Sequence, residues 1–376
     1  FGDQDTYSIA SWAETADAQQ KRVVRSDADS VRHRDIMDNA IRKVPGDNRT
    51  VFLDITTEPS FLELENASQP PRIGPPLIGP ESPLVVMPDR TAAVRLSVSN
   101  PFSATQTVSG ALSVADRDTA PGSSVTVHPG ETGTLSFPVP PAASSAARRT
   151  SAQEIGATLT YRFEPKGLSG DMTLSLSAAT PVSSSLDTAP DFKLDSAADI
   201  INRYRHLPGY RHLQWQGPHD LSAAVRLGLI DRHLVVRVKA RDDIHYQPFT
   251  GKDTWKGDNV QLAFQIPGQD GYWGANLARR DGGDSDHYVT RRPAGQESTE
   301  ADWTLRTDRA RRTTTYQLSI PLQSLGVDKA ALKSGFRFNL IVNDNDGTER
   351  EGWARISPGI GQKKAPSLFP CVVFVE

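Results

Sequence analysis

Residues Arg241 to Phe264 read RDDIHYQPFTGKDTWKGDNVQLAF. The segment just before, Leu234-Val235-Val236-Arg237-Val238, is apolar and β-branched. The one that ends the stretch, Asn259-Val260-Gln261-Leu262-Ala263-Phe264, alternates polar with apolar side chains at the two-residue period of a half-buried strand. Two strands therefore hold a polar loop that contains paired carboxylates, a His, a Tyr and a Trp. Loops anchored on a rigid sheet are where all-β proteins carry their binding residues.

Outward from this stretch the same pattern repeats. Leu221–Leu229, Leu234–Ala240, Val260–Ile266, Trp303–Arg306, Thr313–Ile320, Phe336–Asn343 and Cys371–Val375 all read as strands, and they predict a β-sandwich over residues 183–376. Upstream, Ala93–Val98, Gly110–Val114, Thr134–Val139, Ala157–Phe163 and Met172–Leu176 recur at the spacing of an immunoglobulin-like sandwich over residues 84–182, without a disulfide or core Trp. Between Pro70 and Pro88 the prolines fix φ and remove donors, which predicts a stiff linker, residues 68–83, with no strand ladder. Residues 1–67 offer strands at Tyr7–Trp12 and Thr50–Ile55 around a polar, helix-compatible run from Asp17 to Ser30, too little to close a core alone. The predicted class is all-β: two antiparallel β-sandwiches in tandem after a short N-terminal β segment.

A chain of 376 residues fits two or three domains. No stretch approaches the roughly 18 uninterrupted apolar residues of a membrane span, so no membrane partner is expected. A net charge of -3, with Lys and Arg spread along the chain, leaves no electrostatic footprint for nucleic acid. Cys371 is the one cysteine and cannot form an internal disulfide; its setting, FPCVVFVE, is that of a buried strand thiol. The chain begins Phe-Gly-Asp, without Met or a leader, and reads as a piece of a longer or processed polypeptide.

No G-x-S-x-G elbow, phosphate loop, H-E-x-x-H or paired Cys spacing occurs, and the eight His residues are dispersed. Glycosidases need two carboxylates about 5 to 10 Å apart across a sugar. Asp242 and Asp243 are neighbours that point to opposite faces of a strand, so their expected role is to hold the loop or a hard cation. Asp344-Asn345-Asp346-Gly347 matches part of a calcium loop, yet Val342 and Trp353 fill its first and twelfth positions, which excludes an EF-hand. The turn Asp281–Asp286 offers further oxygen ligands. No catalytic residue is assigned; the enzymatic alternative is a polysaccharide lyase or hydrolase that uses Asp242, His245 and Tyr246. Of six Trp residues, Trp12 and Trp303 fall in strands and are expected in the core, with Trp215 under the sheet. Trp255, Trp273 and Trp353 lie beside Gly and charged residues, where an exposed indole calls for a partner. The apolar face of a pyranose is one, with Gln, Asn, Arg and Asp bonding its hydroxyls.

The segments Gln214–Ala223, Val238–Asp243, Trp255–Leu262 and Asn343–Gly347 with Arg350–Trp353 resemble, in order, the motifs of family 9 carbohydrate-binding modules. The resemblance implies a sugar sandwiched by two indoles, matched here by Trp255 and Trp353, and structural calcium ions that support the fold. Gln261 stands where that family has an acidic residue six positions after the first stacking Trp, and Arg279 and Arg350 are further candidates for hydroxyl contacts. Asp35–Asn39, Val51–Ile55 and Glu58–Leu62 resemble the end of the small sandwich beside the catalytic barrel of clan A glycoside hydrolases. Val98–Phe102 with Val108–Gly110 resembles the spacer modules of bacterial carbohydrate-active enzymes. Together these imply a secreted or cell-surface bacterial protein with two partners: an upstream catalytic domain, and a neutral polysaccharide or oligosaccharide bound with little salt dependence. The alternative is a structural module that packs on a catalytic domain and binds no sugar.

Overall fold

The computed structural model describes residues 6–11, 20–26, 28, 30–35, 40–43, 50–55, 58–81, 84–115, 117, 120–141, 154–296, 302–347, 349–361 and 364–375. Secondary structure in them is nearly all β. The chain forms two compact units, the first ending at Leu176 and the second running from Ser177 onward.

In the first unit, Thr6–Ser11, Ser60–Glu65, Ser30–Asp35 and Ala40–Lys43 form a four-stranded sheet, and Thr50–Ile55, Gln20–Arg25 and Arg72–Pro76 a three-stranded one. They share a small core of Val24, Val31, Leu62 and Leu64. The helix-compatible run is thus a strand over Gln20–Arg25, because ladders on both sides outweigh a polar sequence's weak helical preference. Trp12 lies outside the described residues. The expected linker is also strand. Ile78, Gly79 and Pro80 pair with Val98, Ser97 and Leu96 at a sheet edge, where a proline's missing N–H costs no ladder bond, and Leu77 and Ile78 are buried. A larger core in this unit sets Thr132–Val139, Ala92–Ser99 and Ile78–Pro80 against Ser123–Val127, Gln106–Val114 and Glu154–Glu164 around Val94, Leu96, Leu112, Phe137, Leu159 and Phe163.

The second unit is built from thirteen strands: β1 (Leu168–Ser183, entering at its end), β2 (Phe192–Leu194), β3 (Ile200–Asn202), β4 (Leu221–Ile230), β5 (His233–Asp242), β6 (Asn259–Gln265), β7 (Trp273–Arg279), β8 (Ser285–Arg291), β9 (Thr304–Ala310), β10 (Thr313–Pro321), β11 (Phe336–Asp344), β12 (Gly352–Arg355) and β13 (Cys371–Val375). One sheet runs β2-β4-β5-β10-β9. The other runs β13-β11-β6-β7-β8, with β12 on β11, β3 on β12 and the end of β1 parallel to β13. Asp231 and Arg232 close the β4–β5 hairpin with φ of 52° and 86°, the double left-handed turn whose twist matches paired strands.

Alternation decides what faces the core. Val260, Leu262 and Phe264 of β6, Trp273, Ala275 and Leu277 of β7, and Phe336, Phe338, Leu340 and Val342 of β11 meet Val236, Val238, Leu318 and Ile320 of the opposite sheet. The intervening residues, Gln261 and Ala263, Gly274 and Asn276, Ile341 and Asn343, then face outward. Part of that outer face is covered by a second apolar cluster of Ala263, Tyr272, Ile341, Trp353, Ile360 and Phe369.

Two of the Trp residues expected to be exposed are therefore buried. Trp273 is 0% exposed in the main core, its ring 6.5 Å from Phe264 and 5.8 Å from Trp303, because one residue of parity places it on the inner face of β7. Trp303 is in the core as expected, and Trp215 packs against it with Nε1 donating to the Leu221 carbonyl at 2.8 Å. Trp273→Ala is expected to cost about 3 to 5 kcal/mol of unfolding free energy, measured by urea denaturation, since it leaves a cavity among rings that cannot collapse.

Candidate functional site

The loop between β5 and β6 is shaped by buried polar side chains. Asp258 accepts from the Tyr246 N–H at 2.6 Å through Oδ2 and from the Asn345 N–H at 2.8 Å through Oδ1. His245 Nδ1 lies 3.3 Å from Asp258 Oδ2 and 3.8 Å from Asp242 Oδ2, and Nε2 donates to the Arg279 carbonyl at 2.9 Å. Burial opposes the imidazolium, but the two carboxylates outweigh it and push His245 up to about 9. Burial also pushes the Asp258 carboxyl well up, against the pull of His245. Gln247 donates from Nε2 to the Thr254 and Asp258 carbonyls at 2.9 and 2.8 Å.

The β11–β12 segment divides its side chains between two jobs. Asn343 donates to the Trp255 carbonyl at 3.0 Å and Asn345 to the Lys256 carbonyl at 2.7 Å, so two amides fix the short 3-10 helix Gly251–Lys256 that presents Trp255. Asp344 and Asp346 turn instead toward other carboxylates. Ligand atoms of Asp220, Asp243 and Asp346 lie within 4.8 Å of one another, as do those of Asp242, Asp344 and Asp346. Burial and these neighbours raise Asp344 well above its ordinary value, Asp346 to about 6 and, beside them, Glu351 to about 7. Asp243 Oδ1, Asp346 Oδ1 and Glu351 Oε1 are buried without a hydrogen-bond partner among the described residues. An all-oxygen set with orphaned, mutually repelling carboxylates has the chemistry that a hard divalent cation such as calcium requires.

Above the outer face of the β6–β7 sheet lies a cleft of about 340 Å³. Its floor is Gln261, Asn276, Thr290 and Tyr272; its rim is Lys252, Trp255, Arg350, Ile360 and Lys364. Trp255 is 40% exposed. The Tyr272 hydroxyl is buried without a hydrogen-bond partner among the described residues. A second cleft of about 550 Å³ shares Trp255 and Arg350 and adds Arg203, Phe249, Lys256, Asn345, Glu349 and Trp353. Here Arg203 pairs with Glu349 at 2.9 Å, and Tyr204 donates to the same carboxylate.

Of the residues singled out in the sequence, Trp255, Gln261 and Arg350 are brought together. Trp353 is not a free partner for Trp255. It sits on β12, 2% exposed, with Gly361 pressed against its ring at a φ of 92° that few residues other than Gly adopt. The Arg350 guanidinium takes the place between the indoles, 4.4 Å from the Trp353 ring centre and 5.5 Å from that of Trp255. Arg279 is outside the cleft lining, its Nη1 donating to the Gly283 carbonyl at 2.7 Å. Asp242, His245 and Tyr246 line neither cleft, and the first two are bound into the Asp258 network. Asp281 and Asp286 accept from the Gln247 and Gly251 N–H groups at 2.7 and 2.9 Å, which makes them loop anchors. Asn276, Tyr272, Lys252 and Lys364 were missed; the outward parity of Tyr272, Gly274 and Asn276 next to Trp273 was the available signal.

No protein-family model matches the chain, and no curated protein matches it. Among solved structures, a family 9 carbohydrate-binding module from Caldicellulosiruptor kristjanssonii in complex with cellotriose has 12% sequence identity and a TM-score of 0.37, covering 52% of this chain and 93% of that one. Family 9 modules are thus among its structural neighbours. The same kind of module in complex with glucose has 13% identity and a TM-score of 0.34, with 52% and 94% covered.

Asp258→Ala is expected to destabilise the protein by about 3 kcal/mol in urea unfolding, since it orphans two backbone N–H groups and leaves His245 with one carboxylate fewer. Asp258→Asn should cost less, because the amide oxygen keeps one acceptor.

Proposed function

We propose that this chain binds carbohydrate without catalysis, through the cleft beneath Trp255. The observation that carries this reading is an indole 40% exposed, on a short helix whose Trp255 and Lys256 carbonyls accept from the Asn343 and Asn345 side chains, beside a sheet floor of amide and hydroxyl groups. An exposed indole costs solvation unless it covers an apolar face, and a pyranose supplies one. Gln261, Asn276 and Thr290 supply donors and acceptors for its hydroxyls. Stacking is by one ring, not two, because Trp353 is packed away. The motif resemblance supports the wider role: a secreted or cell-surface module that brings an upstream glycoside hydrolase to its polysaccharide.

The carboxylate cluster is the proposed seat of a structural calcium, held by Asp220, Asp243 and Asp346 with Glu351 adjacent. A divalent charge there would offset the burial and mutual repulsion that raise Asp346 and Glu351, and would brace the segment that carries Asn343 and Asn345.

Two outcomes are expected. Trp255→Ala should weaken binding to polysaccharides in affinity electrophoresis by about tenfold or more, with an unchanged unfolding midpoint, since the ring contributes contact area to the ligand and little to the core. Unchanged retardation across a broad glycan panel would overturn the reading. Chelation of calcium should lower the thermal midpoint by roughly 5 to 10 °C, from a linkage of about 3 kcal/mol at saturating ion, and Asp243→Ala should abolish that shift.

A further inference from the structure

Charge around the main cleft is one-sided. Lys252, Arg350 and Lys364 line it, and no Asp or Glu does so among the described residues. None of the three is in an ion pair with a described carboxylate, whereas the neighbouring Lys256 and Arg203 are matched by Asp253 at 3.0 Å and Glu349 at 2.9 Å. On the floor, Gln261 presents a neutral amide. A neutral ligand gives three uncompensated cations nothing to bond that a carboxamide would not bond as well.

Arg350 is the best placed of them. Its guanidinium carbon lies 5.5 and 4.4 Å from the Trp255 and Trp353 ring centres, so cation–π contact with both indoles holds the side chain in place. Among the described residues, Asn343 Oδ1, at 3.4 Å, is the acceptor that meets its N–H groups. Stacking removes the rotamer freedom that a long side chain otherwise loses on binding, and it leaves a rigid fork whose geometry matches a planar carboxylate or two oxygens of a sulfate. Burial lowers the Arg350 pKa, with Arg203 adding to it, so a counter-anion would relieve a cost already present in the free protein.

We propose, on the basis of the carbohydrate reading above, that this cleft selects an anionic glycan: a pyranose stacked on Trp255 that carries a carboxylate or sulfate ester, received by Arg350 with Lys252 and Lys364. The salt insensitivity expected for a neutral ligand is then replaced by a marked salt dependence.

The test is an array of acidic glycans, each paired with its neutral counterpart: uronate oligosaccharides with their carboxyl-reduced forms, and sulfated ones with their desulfated forms. Titration calorimetry follows on the full chain with the best pair. The expected result is an acidic member bound about tenfold or more tightly than its neutral partner at about 0.1 M salt. Most of that advantage should be lost at about 1 M, where charges are screened beyond about 3 Å. Preference for the uronate pairs or for the sulfate pairs identifies the source of the anion, and either supports the proposal. Lys252→Met with Lys364→Met, both exposed, should cut the acidic-to-neutral ratio about tenfold while the unfolding midpoint stays in place. Equal or tighter binding of the neutral partners, unaffected by salt or by the double substitution, overturns the anionic selection and leaves the carbohydrate reading standing. Absence of binding to every glycan overturns both.

Discussion

The buried Asp258 carboxylate is the interaction on which the candidate site depends. It accepts backbone N–H groups from two separate loops, at Tyr246 and Asn345, and pairs with His245 beneath them. It adds to the Asn343 and Asn345 bonds a buried anchor shared by the loop that carries Trp255 and the segment that carries Arg350. A carboxylate withdrawn from water is costly unless its lone pairs are met, and here backbone donors and an imidazolium meet them. The arrangement supplies position more than stability, since it holds two irregular segments in register where no strand ladder reaches.

Around that anchor, polar groups are sorted by direction. Asn343 and Asn345 reach one way to the Trp255 and Lys256 carbonyls; Asp344 and Asp346 reach the other way to the carboxylate cluster. The alternation that gives a sheet two faces thus continues past the end of β11 and separates a surface that presents an indole from a pocket that concentrates negative charge. Placed together, acidic groups would cancel the cations of the cleft. Kept apart, each retains its own field.

Much of the second unit was legible because its strands follow period two strictly. Leu234–Ala240 and Val260–Ile266 are strands where the pattern places them, and Trp255, Gln261 and Arg350 line one cleft. The errors came from parity and from edges. Trp273 precedes and Trp353 follows a glycine, which suggests a loop, yet each continues a strand and is covered by residues outside that strand: Trp303 over one, Ile360 and Phe369 over the other. The proline-rich stretch around Ile78 read as a linker because local donors are few, whereas an edge strand needs donors on one side alone. Asp258 stood inside a recognised motif, but nothing local signals a carboxylate that bonds a backbone 87 residues away.

Strand β6 interleaves two kinds of position. Val260, Leu262 and Phe264 belong to the core, while Gln261 and Ala263 belong to the surface above which the cleft opens. Stability and recognition are therefore written on the same strand as two independent texts. A substitution at Gln261 can change what the sheet holds without disturbing how the sheet folds.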